Sequence, residues 1–128
     1  MSQPEVGPNK EEVDRFILDE IDTVPHLEAL LLLWNSRPRP WTLDDVAAAL
    51  YIDTDATRDV LLTLERRALV NADGEAYAYR SSERDSLIQA VELTYRRELI
   101  RISRMIHSKA PAGIRAFANA FRFKKDRD

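Results

Sequence analysis

The chain has 128 residues, 45% of them hydrophobic and 32% charged, with three glycines and a net charge of −3, which describes one helix-leaning globular domain. It has no cysteine, and its two histidines, His26 and His107, stand far apart; disulfides, thiol catalysis and Cys/His metal clusters are excluded. The apolar run at residues 30–34 is too short to span a bilayer, and no basic-then-apolar leader opens the sequence, so a cytoplasmic protein is expected.

The charge is graded along the chain. Residues 1–24 carry −5, residues 25–80 carry −3 and residues 81–128 carry +5. An acidic head and a basic end suit an anionic partner, or simply neutralise each other within one molecule or a dimer.

Residues 1–8, with two prolines and a glycine, read as a loose arm. Asn9 and Glu12 form a capping box for a helix over residues 10–22, whose inward positions are Val13, Phe16, Ile17 and Ile21. A second helix starts at Pro25 and carries the stripe Leu27, Leu30, Leu31 and Trp34. Leu32 and Leu33 widen that stripe, so this helix is buried on most sides or touches another chain. It ends at Arg37-Pro38-Arg39-Pro40. Thr42 with Asp45 caps a short third helix, and Asp53 or Thr54 caps a fourth that runs to about Arg67, with Thr57, Val60, Leu61 and Leu64 inward.

Leu69-Val70-Asn71 reads as a strand, Asp73-Gly74 as a hairpin turn with positive φ at both positions, and residues 76–80 as the return strand. A long helix over residues 82–108 follows, with Ile88, Val91, Tyr95, Leu99, Ile102 and Ile106 at a mean spacing of 3.6 residues. At about 40 Å it outreaches a domain of this size, so part of it is expected to pack outside its own core. Pro111 restarts a short helix with Ile114, Phe117, Ala118 and Phe121 on one face, ahead of a charged end. The units are therefore an arm (1–8), a helix plus winged domain (9–80), a long helix (81–109) and a short basic amphipathic tail (110–128).

The fold class is mainly α with a small β-hairpin. Two helices joined by a tight turn and followed at once by a hairpin make a helix-turn-helix with a wing. WTLDDVAAAL, ATRDVLLTLERRALV and NADGEAYAYR, within residues 25–80, resemble the winged-helix DNA-binding domains of the MarR-like transcription regulators. That resemblance implies a homodimer binding double-stranded DNA, with an extra N-terminal helix and the long C-terminal helix forming the dimer interface. Thr54, Thr57, Arg58 and Arg66 would then contact DNA, together with Arg37 and Arg39 beside Trp41.

The residues leave a second reading open. The outward face of the fourth helix (Asp55, Arg58, Asp59, Leu62 and Arg66) carries two acids, two bases and a leucine, where a base-reading helix presents cationic and amide side chains. The wing tip has two acids and no base, and the winged-helix family usually has glycine where Ala68 stands. The alternative is a protein-interaction module. Leu62 would meet one partner, while Arg97, Arg101, Arg104, Lys109, Phe117, Phe121, Lys124 and Lys125 would dock an acidic protein or an anionic membrane surface. There is no glycine-rich phosphate loop, nucleophile elbow or placed carboxylate pair, so neither a cofactor nor an enzyme is expected.

Overall fold

A computed structural model describes residues 8–109. The arm expected for residues 1–7 and the tail expected for 110–128 lie outside the described residues. The elements are α1 (Lys10–Glu20), α2 (Val24–Ser36), β1 (Trp41–Thr42), α3 (Leu43–Leu50), α4 (Thr54–Arg66), β2 (Val70–Asp73), β3 (Ala76–Tyr79), α5 (Asp85–Arg97) and α6 (Leu99–Lys109).

The expected helix starts have the expected chemistry. Asn9 accepts from the Glu12 N–H at 2.8 Å and Glu12 returns a bond to the Asn9 N–H at 2.9 Å, a complete capping box. Thr42 caps α3 through the Asp45 N–H, and Asp53 caps α4 through the Ala56 N–H at 2.7 Å. α2 sits in the middle. It buries Leu27, Leu30, Leu31, Leu33 and Trp34 and packs on α3, α4, α6 and β3, so its wide apolar stripe is used within its own chain. Each of its fully buried leucines contributes about 2 kcal/mol of apolar transfer free energy.

α3 and α4 end in the same way. Ile52 N–H bonds to Ala47 O and Tyr51 N–H to Ala48 O; Leu69 N–H bonds to Leu64 O and Ala68 N–H to Glu65 O. Both are Schellman motifs, which turn the chain through one left-handed residue that is usually glycine. Here those residues are Tyr51 (φ 59°) and Ala68 (φ 62°). The position where the winged-helix family has glycine thus keeps the glycine conformation with an alanine in it.

Three expectations need correction. The sheet has three strands, not two: β1 pairs antiparallel with β3, Trp41 facing Tyr77, which gives the order β1-β3-β2. Two residues of β1 were too few to show periodicity. The hairpin closes on the Asp73–Ala76 pair, so its two-residue loop is Gly74-Glu75 with only Gly74 at positive φ (66°). That is the Gly-first pattern of a type II′ turn rather than an Asp-Gly turn.

The long helix is two helices. Glu98 leaves helical geometry (φ −127°, ψ 47°), and its N–H still reaches Thr94 O at 2.8 Å. No proline or glycine marks the break, so nothing in the local residue pattern signals it. The cause lies in tertiary contacts. A straight rod would carry Ile102 and Ile106 past the body, whereas the bend lays α6 on α1 and α2 and buries both isoleucines.

Candidate nucleic-acid interface

The helix-turn-helix is α3–α4, and the wing is β2–β3. Thr57, Val60, Leu61 and Leu64 face inward and hold α4 against α2 and α3, while Thr54, Arg58, Asp59, Leu62 and Arg66 are exposed. Because β1 runs into α3 and pairs with β3, the sheet fixes the wing beside the exposed edge of α4. Between them lies a cleft of about 400 Å³ lined by Thr42, Asp44, Arg58, Gly74, Glu75 and Tyr77.

The cationic side chains here are partly engaged. Arg58 pairs with Asp55 at 3.0 Å, one turn back on α4, and Arg66 donates to the Thr63 hydroxyl at 3.2 Å. Arg37 lies over the Trp34 ring, 3.5 Å from its centroid, and donates to the Trp34 carbonyl. Arg39 lies over Trp41 at 4.3 Å. Both arginines are exposed, and stacking pre-orders their guanidinium groups at the edge of the sheet.

Thr57 cannot present its side chain. It is fully buried, with its hydroxyl bonded to Asp53 O at 2.8 Å, because the helical spacing that fills the core at Val60 and Leu64 also turns Thr57 inward. Leu62 is 37% exposed in the middle of the outer face.

One residue missed by sequence reasoning is Tyr51. It is 93% exposed in the turn that delivers α4, immediately before the Asp53 cap. Its place at the end of a regular helix pattern read as ordinary, and only the positive φ sets its ring outward.

The wing is tied to the body from behind. Tyr79 packs edge-on against Trp34, with centroids 4.9 Å apart, and donates to the Asp85 carboxylate at 2.7 Å. Burial and that carboxylate hold the Tyr79 hydroxyl well above its ordinary pKa. Asp85 also accepts from the Ser81 hydroxyl and the Ser82 N–H, and these bonds with that of Tyr79 hold its carboxyl below the usual range. Arg67, at the end of α4, reaches Glu20 and Asp22 at 3.4 and 3.3 Å and so anchors the recognition helix to the α1–α2 turn.

The C-terminal arginines are divided between two helices. The break at Glu98 puts Arg97 on α5 and Arg101 and Arg104 on α6. Arg97 and Arg104 are exposed, whereas Arg101 is bound to Asp14 and Glu98. Lys109 ends α6; Phe117, Phe121, Lys124 and Lys125 lie outside the described residues. No helix among the described residues is long and apolar enough to cross a membrane.

Element order, the short β1 strand and the wing define a winged helix-turn-helix fold of the MarR-like kind. The chain is similar to MepR, a transcription regulator of the Staphylococcus aureus multidrug efflux pump MepA, with 16% identity, 93% of this chain and 90% of that one covered, and a TM-score of 0.53. It is similar to the Mycobacterium tuberculosis MarR family protein Rv2887, also at 16% identity, over 91% and 84% of the two chains with a TM-score of 0.54. At such identities the likeness establishes the fold. No family model matches the sequence, and no curated protein matches it.

Proposed function

We propose that this protein is a winged-helix transcription regulator that binds double-stranded DNA as a homodimer and performs no catalysis. The observation that carries the reading is the exposed edge of α4, which presents Thr54, Arg58 and Arg66, with Arg58 lining a cleft shared with the wing residues Gly74, Glu75 and Tyr77. α4 would enter the major groove. Arg58 would exchange its Asp55 partner for phosphate or a base edge, and Tyr51, Arg37 and Arg39 would reach the backbone. The solved regulators that share the fold support this reading.

Dimerisation is supported by apolar surface left over on the other side of the molecule. Leu18 on α1, Leu93 on α5 and Ile100 on α6 are exposed, Ile100 by 62%. A two-fold dimer through these helices covers them and presents two copies of α4. The test is selection of bound duplexes from fragmented genomic DNA at low salt. The expected result is enrichment of sites with two-fold symmetry and half-sites about 10 bp apart. No enrichment of any duplex overturns the reading.

A second reading has its own observation. The exposed helix-turn-helix and wing surface carries Asp44, Asp45, Asp53, Asp55, Asp59, Asp73 and Glu75, and Leu62 sits among them. That surface suits a protein partner better than a polyanion. In this reading the protein is a winged-helix interaction module, and the basic tail meets an acidic protein or membrane surface. Leu62→Asp separates the two: it abolishes a protein complex, and it weakens DNA binding only by adding charge.

A further inference from the structure

Between α2, the end of α3, α5 and the start of α6 lies an open groove of about 440 Å³. Its floor is apolar, made by Leu31, Leu32, Leu50, Tyr95 and Leu99. Its rims carry Glu28, Glu92 and Arg96. Glu28 stands on the α2 side, where it accepts from the Tyr95 hydroxyl at 3.1 Å, and Glu92 stands on the α5 side. Glu92 is bridged by Arg96 and Asn35. Glu28 has no cation within salt-bridge distance among the described residues.

Residues 110–128 follow directly from α6 and carry five bases and two acids. At helical spacing Ile114, Phe117, Ala118 and Phe121 share one face. Arg115 and Arg122, seven residues apart, share one flank of that face. The pattern complements the groove: an aromatic ridge for an apolar floor, with two arginines alongside for the Glu28 side of its rim.

The distances allow it. The groove opens at Leu99, ten residues back along α6, or about 15 Å from Lys109. Residues 110–113, with Pro111 and Gly113 as turn formers, span up to about 14 Å. Residues 114–121 add at least about 10 Å of reach.

We propose that residues 114–121 dock in the α2–α5 groove of their own chain, with Phe117 and Phe121 on the leucine floor and Arg115 and Arg122 toward Glu28. This goes beyond DNA recognition, and its failure leaves that reading intact.

The chain has no cysteine, so Asn35→Cys gives one attachment point for a nitroxide at the exposed edge of the groove. The probe is paramagnetic broadening of amide signals in the full chain, with label and isotope on the same molecule or on mixed molecules. The expected result is broadening over residues 114–121 only when label and isotope share a chain. Phe117→Ser with Phe121→Ser removes the broadening, while unchanged core signals report an intact fold. Three results overturn the proposal: signals of residues 114–121 that stay sharp, broadening seen only between different chains, or broadening that survives the double substitution. The second of these makes a second copy the occupant.

Discussion

Arg101 on α6 grips the Asp14 carboxylate on α1 through both terminal nitrogens, at 3.0 and 3.2 Å, while its Nε bonds to Glu98 at the helix break. An arginine that sequence pattern assigns equally to an anionic partner is thus an internal fastener. The acidic first helix and the basic C-terminal region neutralise each other here, and Lys10 adds a contact to Glu98 at 3.9 Å. The hydrogen bonds that Arg101 donates to Asp14 raise the guanidinium pKa above its ordinary value.

Because the Arg101 side chain remains 34% exposed, solvent screens the pair. Arg101→Ala is expected to cost about 1 kcal/mol in urea unfolding. A double-mutant cycle with Asp14→Asn should return most of that as coupling, and 1 M salt should shrink it. A coupling of zero would mean that α6 is held by Ile102 and Ile106 alone.

Asp85 makes stability acid-sensitive. Its carboxylate collects Tyr79, Ser81 and Ser82, so its folded pKa lies below the unfolded value of about 3.9. A depressed carboxyl contributes stability that is fully present above the unfolded pKa and is lost as pH falls through the folded one. Asp85→Asn is therefore expected to lower thermal stability near neutrality and to flatten its loss below about pH 4. Parallel wild-type and variant curves through that window would exclude Asp85 as the titrating group.

The two left-handed residues differ in what their replacement does. Ala68→Gly is expected to stabilise the fold by about 1 kcal/mol, because a Cβ at φ 62° is strained and glycine relieves it. Tyr51→Gly should stabilise similarly, since its exposed ring contributes little to the core, yet it should weaken DNA binding if the ring meets the backbone. Chemical denaturation measures the first effect, and duplex affinity the second.

Neighbours on α4 should separate core from surface. Leu61→Ala empties a fully buried site and is expected to cost about 3 kcal/mol. Leu62→Asp, one residue on, should stay within about 0.5 kcal/mol of wild type. Equal losses at both positions would mean that Leu62 is covered by a partner in solution.

How much of this was legible in the sequence follows from where each signal lives. Asn9–Glu12, Thr42–Asp45 and Asp53 are local chemistry, and each cap forms where its residues stand. Inward positions on α4 follow from 3.6-residue spacing, which also buries Thr57, a residue that the spacing set inward and the resemblance nonetheless offered to DNA. The bend at Glu98 and the pairing of Trp41 with Tyr77 depend on contacts distant in sequence, and nothing local encodes them. For the same reason Arg101 could not be assigned until Asp14 lay beside it, and the exposure of Tyr51 could not be seen until its φ was known.

Duplex affinity measured against salt, for wild type and Arg58→Ala, tests the central claim most directly. With the α4 face near neutral, few phosphates are neutralised per half-site. The logarithm of the association constant should fall with log salt at a slope of about −0.9 for each phosphate contacted. Arg58→Ala should either reduce that slope by about one per half-site or relax base preference at a defined position. Absence of binding to any genomic duplex at low salt, or affinity and slope unchanged by Arg58→Ala, would contradict a DNA-reading role for α4.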